Sequence, residues 1–258
     1  MPLAWLSRTF SAALAAVALL VCLEGAGATA LQVVTEELPP YNTRVGGKVG
    51  GMCTEIVQAV FREMGIDPDI QMMPWARAYD LALHADNVMI YSITRTPERE
   101  ALFQWVGPIV STRWFLYSTQ ARPVNLDSLG QALEQHYQIA TVNQDVGEQY
   151  LIRQGFALGQ TLQQSNHYAL NYEKLKLGHV ALWISDELNA AYTVSMAGDD
   201  PRQALRPVLE LPELEDSGFN VAFSRSTDPQ TVAAFRAALA RLRDDGRYDA
   251  IVRRWVGP

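Results

Sequence analysis

Cysteine is nearly absent: the 258-residue chain has two, Cys22 and Cys53. Cys22 falls in an N-terminal segment that reads as removable. That leaves Cys53 alone, so no internal disulfide is expected and the core must hold the chain together. Histidine is as sparse. The four residues His84, His136, His167 and His179 stand singly, without the short spacings that gather a metal. Basic runs are missing too. With 21 Lys and Arg against 28 Asp and Glu, the net charge of -7 argues against binding nucleic acid or anionic lipid. Beyond residue 30, no apolar stretch approaches the roughly 20 residues that span a bilayer. Gly-x-Ser-x-Gly does not occur, and Cys53 has no recognisable His partner, so no nucleophile declares itself. Glu36, Glu37, Asp145, Glu148 and Glu187 are available carboxylates, but none forms an acid–base pair at a readable spacing. These absences point away from catalysis and imply neither a metal nor a cofactor.

What is present is ordinary globular material, 48% hydrophobic and 19% charged, which excludes disorder. Residues 1–30 carry Arg8, an apolar Phe10–Leu23 stretch and small-x-small patterns at Ala26-Gly27-Ala28 and Ala28-Thr29-Ala30. This is a secretory signal peptide, cleaved after Ala28 or Ala30. The large Val21 before Cys22 speaks against a lipid anchor. The expected mature protein is exported, and in a bacterium it would be periplasmic. About 230 residues then remain, enough for one large domain or two lobes.

The stretch Val88–Arg99 carries the most information. Val88–Ile93 is an apolar, partly β-branched run of strand length. Thr96 reads as a helix N-cap, with Pro97 at the first helical position and Glu98 in the first turn. A strand entering a capped helix places Thr94 and Arg99 just past the carboxyl end of a sheet strand, where open α/β sheets bind ligands. An Arg there offers a planar fork that matches a carboxylate. Elsewhere strands and helices alternate. Leu31–Thr35 reads as a strand and Pro39-Pro40 as an extended loop. Residues 42–51 read as a glycine-rich turn or hairpin, and Thr54 to Met64 as an amphipathic helix ended by Gly65. Strands over 70–73, 113–118, 138–142, 180–184 and 221–224 are expected, with weaker strand signal near Leu162. Helices are expected after Trp75, at 126–135, 147–154 and 168–177, and from Pro229 to Gly246. The alternation predicts mostly parallel sheets flanked by helices.

From Leu31 to Gly257 the chain resembles the type II periplasmic solute-binding proteins of ABC importers, in the family of polar amino-acid receptors. The markers are Glu37-Leu38-Pro39-Pro40-Tyr41, Gly51-Met52, Thr94-Arg95-Thr96-Pro97-Glu98-Arg99, Gly178-His179-Val180 leading to Asp186, and the ending Asp245-Gly246-Arg247-Tyr248-Asp249-Ala250-Ile251 with Trp255. The resemblance implies an α/β fold of two lobes with the ligand cleft between them and a hinge that closes them. Lobe 1 would comprise 31–118 with 217–258, and lobe 2 would comprise 119–216. It further implies that Arg99 grips a ligand carboxylate with help from Thr94. The backbone near Ser92 and the Asp186 carboxylate would receive an ammonium, and Tyr41 and Trp75 would wall the ligand. Arg77 either reaches the cleft or pairs with Asp80 on its own helix.

Two departures matter. Where the family offers a Gly-Thr or Gly-Ser pair to a carboxylate, this chain has Asn143-Gln144-Asp145-Val146-Gly147-Glu148, whose acids would repel an anion. Cys53 stands where an acidic residue usually opens the first helix. The implied function is a monomeric, non-enzymatic receptor that takes a small polar ligand, an amino acid or amino-acid-like molecule, to an inner-membrane ABC permease. The alternatives are a periplasmic enzyme, dehydratase-like, and a ligand sensor on the same fold.

Overall fold

The computed structural model describes residues 30–214 and 218–256; the expected signal peptide lies outside the described residues. Two five-stranded sheets organise the chain. The first contains β1 (Gln32–Thr35), β4 (Ile70–Met72), β5 (Val88–Thr94), β6 (Gln104–Val110) and β12 (Phe219–Phe223), in the order β4-β1-β5-β12-β6. The second contains β7 (Trp114–Thr119), β8 (Ile139–Val142), β9 (Leu162–Ser165), β10 (Leu182–Asp186) and β11 (Leu205–Glu210), in the order β11-β7-β10-β8-β9. In each sheet one strand runs against the others, β12 in the first and β7 in the second. The glycine-rich segment forms a separate hairpin of β2 (Thr43–Val45) and β3 (Lys48–Gly50).

Helices cover the sheets. Around the first lie α1 (Met52–Glu63), α2 (Trp75–His84), the short α3 (Pro97–Glu100), α9 (Pro229–Asp244) and α10 (Arg247–Val256). With the second go α4 (Leu129–Glu134), α5 (Val146–Arg153), α6 (Tyr168–Leu177), α7 (Glu187–Met196) and α8 (Pro201–Ala204). Every position of β5 is buried, the mark of a central strand covered on both faces. The buried stripe of α9, Val232, Phe235, Leu239 and Leu242, falls as its 3.6-residue period predicts. Phe235 meets Phe61 of α1 and Phe223 of β12 edge to face, which ties the C-terminal part of the chain into the first sheet.

Three features differ from the sequence expectation. β6 was not expected as a strand, because Gly107-Pro108 breaks its pattern; β12 pairs with it through register shifts. β11 was missed because Pro207 sits in it, and it survives as an edge strand. The strand expected at 113–118 pairs in the second sheet. The chain therefore leaves the first sheet after Val110 and enters the second at Trp114.

Candidate functional site

Four polar residues stand at or just beyond the carboxyl ends of parallel strands: Glu36 after β1, Thr94 ending β5, Asp145 after β8 and Asp186 ending β10. The first two belong to the first sheet and the others to the second, so the two sheets present these ends to each other. Between them lies a cavity of about 10 Å³, lined by Glu36, Trp75, Thr94, Arg99, Asp145 and Tyr168 among others. That is room for about one water.

Arg99 is only 1% exposed. Thr96 starts its helix as expected, its Oγ1 accepting from the Arg99 N–H at 3.4 Å. The guanidinium spends its donors on neutral acceptors. Nη1 donates to the Thr94 carbonyl at 3.1 Å, and Nε and Nη2 both donate to Gln149 Oε1, at 3.2 and 3.0 Å. Its carbon lies 5.4 Å from the Trp75 ring centre and 4.9 Å from that of Tyr79, two rings stacked on each other. Gln149 is on α5, so this contact joins elements packed on the two sheets. Burial lowers the Arg99 pKa, while Tyr79, Asp145 and Glu36 oppose the fall.

Ser92 is the extra residue of a bulge. β12 pairs Asn220 with Ile93 and Val221 with Tyr91, which leaves Ser92 unmatched at φ 61°. Its hydroxyl donates to Asn42 Oδ1 at 2.9 Å. Such a left-handed residue in mid-strand costs about 1–2 kcal/mol, and bulges of this kind re-aim backbone beside ligand sites.

The second sheet's side contributes two helix caps. Asp145 Oδ1 accepts from the Glu148 N–H at 2.7 Å, and Asp186 Oδ1 accepts from the Asn189 N–H at 3.0 Å. Asp186 Oδ1 also accepts from the Tyr41 hydroxyl at 2.7 Å, while Asn189 Nδ2 donates to the Pro39 carbonyl at 2.7 Å. Trp75 Nε1 donates to the Gln144 carbonyl at 2.8 Å. The left-handed backbone of Gln144, φ 60°, accompanies that carbonyl's place in the contact. Asp145 Oδ2, Asp186 Oδ2 and Thr94 Oγ1 are buried without any hydrogen-bond partner. Desolvation pushes the Asp145 carboxyl up to about 7 and that of Asp186 up to about 6. Glu36 is raised well above the carboxylate range, first by burial and then by Asp145.

Four of the expected site residues, Arg99, Thr94, Ser92 and Trp75, line the cavity; Tyr41 and Asp186 bond to each other outside its lining. Arg77 is exposed, and Asp80 pairs with His84 at 3.0 Å rather than with Arg77. Cys53 is fully buried, with its thiol pushed up to about 12, and it takes no part in the cavity. The residues that sequence reasoning missed as site members are Glu36, Asp145, Tyr168 and Gln149. The signal for the first two was their place after a parallel strand. Glu148, expected to repel an anion here, points away from the cavity, bonding Thr141 Oγ1 and the Gln144 N–H, each at 2.8 Å.

Among solved structures, a histidine kinase sensor domain with similarity to periplasmic binding proteins matches at a TM-score of 0.77 and 19% identity, covering 89% of this chain and 97% of its own. An ancestral arginine-binding protein bound to arginine matches at 0.76 and 18%, covering 88% and 98%. The arginine-, lysine-, histidine-binding protein ArtJ from Geobacillus stearothermophilus matches at 0.72 and 20%, covering 88% and 96%. At these identities the likeness establishes the two-lobed periplasmic-binding fold. No curated protein matches the chain. The family model of the bacterial extracellular solute-binding proteins, family 3, spans residues 31–258, and the chain belongs to that family.

Proposed function

We propose that this protein is a periplasmic receptor that closes two lobes on a small polar ligand, an amino acid or amino-acid-like amine, and hands it to an inner-membrane ABC permease. The observation that carries this reading is the set of side-chain contacts joining the two sheets around a buried polar cavity: Tyr41 to Asp186, Trp75 to Gln144 and Arg99 to Gln149. Arg99, Thr94, Ser92, Trp75 and Tyr41 form the first lobe's half of the site, and Asp186 stands in the second. Lobe 1 ends at the first crossing, 111–113, and resumes at β12. A ligand that touches both halves favours the closed form by its differential affinity for it. The receptor acts as a monomer, without a cofactor and without catalysis.

Sensing is the second reading, supported by the likeness to a histidine kinase sensor domain. The same closure would then report to a membrane partner instead of feeding a transporter.

The test is a thermal-shift screen of the purified protein against amino acids, amines, organic acids and small peptides. A receptor gives a rise in Tm that grows with the logarithm of ligand excess over Kd. The rise is reduced or lost in Arg99→Ala, which removes the contact with Gln149 joining the two halves of the site, and its fold is checked by circular dichroism. A screen in which no compound moves Tm would refute the reading.

A further inference from the structure

The cavity's charges do not balance. Glu36 and Asp145 line it together with Arg99, and Asp186 stands close enough to Glu36 to disfavour its ionisation. One guanidinium stands with two carboxylates in the lining, and a third, Asp186, acts on Glu36 from outside it. The same imbalance acts on the Tyr168 hydroxyl, where burial, Glu36, Asp145 and Asp186 all disfavour ionisation and Arg99 alone opposes them. Acids this deep are very costly unless they are protonated or paired with a cation. Two atoms on lining residues have the chemistry to pair with one: Asp145 Oδ2, on a residue 3% exposed, and Thr94 Oγ1, also 3% exposed, both without partners; Asp186 Oδ2, likewise unpartnered, lies outside the lining.

The places where a carboxylate would bind are taken. Gln149 Oε1 covers the Nε–Nη2 edge of Arg99, the Thr94 carbonyl holds Nη1, and Trp75 and Tyr79 lie against the guanidinium. The first turn of α5 is closed from within, by Asp145 Oδ1 on the Glu148 N–H and by Glu148 Oε1 on the Gln144 N–H. An entering carboxylate would have to displace Gln149 and approach Glu36 and Asp145, both of like charge.

We propose that the ligand is an aliphatic amine without a carboxylate, its ammonium held by Asp145, Glu36 and Thr94 between the aromatic walls, with Gln149 standing on Arg99 where an amino acid would place its α-carboxylate. This rests on the receptor reading and names its ligand class. In this closed arrangement the cavity admits about one water, the size of an ammonium alone; the methylene chain enters when the two sheets part and then lies against Trp75, Trp114, Phe219 and Tyr168, which line the cavity.

Decarboxylated twins separate the alternatives. Cadaverine against L-lysine, agmatine against L-arginine and putrescine against L-ornithine differ only in the carboxylate. Each is titrated into the purified protein by calorimetry at about pH 8. The expected result is that at least one amine binds, and binds at least about tenfold more tightly than its twin, since a desolvated like-charge contact costs more than 1.4 kcal/mol. Asp145→Asn keeps an α5 cap, because Asn is also a favoured N-cap, and weakens that amine by about tenfold or more. Gln149→Ala opens the Arg99 fork and narrows the ratio between the twins. If an amino acid binds as tightly as its amine or more tightly, the inference is overturned while the receptor reading stands. An Asp145→Asn protein of unchanged affinity overturns the assignment of the ammonium. If none of the six compounds binds, the ligand class is wrong, and the broader screen then decides separately whether the protein is a receptor.

Discussion

Asp145 should make the unliganded protein less stable as pH rises, and Asp145→Asn should abolish much of that loss. The carboxyl rises from an ordinary 3.8 to about 7 in the folded chain. A group whose folded pKa is raised contributes stability that is fully present below about 3.8 and is lost as pH climbs through about 7. At 1.36 kcal/mol per pH unit, ionising Asp145 in the folded state costs about 4 kcal/mol as a ceiling. The Asn variant carries no such charge. Its amide oxygen is a weaker acceptor for the Glu148 N–H, which returns about 1 kcal/mol of the gain. A net gain of about 2–3 kcal/mol at pH 8 corresponds to a Tm higher by about 4–12 °C for a chain of this size. The assay is calorimetric melting of both proteins at about pH 5, 6, 7 and 8. Wild type should melt lower at pH 8 than at pH 5 and the variant should show a shallower slope, with part of it left by Glu36 and Asp186. Equal slopes in the two proteins, or a variant less stable at pH 8, would refute the account of a desolvated, uncompensated acid.

Other outcomes follow from the same geometry. Tyr41→Phe removes the donor to Asp186 Oδ1 and should destabilise by about 1–3 kcal/mol near pH 8, less near pH 5, where the acid is protonated; denaturant midpoints at both pH values check this. Trp75→Phe keeps a ring beside Arg99 but loses the bond to the Gln144 carbonyl. It should weaken ligand by about 0.5–1.5 kcal/mol, roughly 2- to 12-fold, as titration calorimetry would read. Gly51→Ala should cost more than about 1 kcal/mol. Its φ is 104°, and an added Cβ would lie 2.5 Å from the Tyr41 carbonyl oxygen, so a lowered Tm is expected together with a disturbed Tyr41. Cys53 should resist thiol reagents in the native protein and react only on unfolding.

The site was legible where local chemistry dictates position. Thr96-Pro97 announces a helix start, and the run before it announces a strand, so Arg99 could be placed from sequence. The acid after β8 was visible, but its direction was not. Periodicity assigns α5 a buried face without saying which lobe that face meets, so Gln149 gave no signal that it would cap Arg99. The Trp75 bond to Gln144 depends on a left-handed residue that is not glycine, and no residue type announces that. The missed strands fail for an opposite reason: Gly107-Pro108 and Pro207 are breakers by local rule, and pairing with β12 and β7 overrides them.

Asp145 and Asp186 each divide their two oxygens, one fastening the first turn of a helix and the other left unbonded. This division restricts how the site can change its preference. Losing either acid to an apolar residue would unfasten α5 or α7 at the moment it altered recognition, at a cost of about 0.5–2 kcal/mol per cap. The mutational paths left open run through Asn, Ser and Thr, which keep the helix fastened while changing the charge presented to the ligand. Under the amine proposal, a preference for cations can therefore be exchanged for one for neutral solutes in single steps, without unfastening either helix.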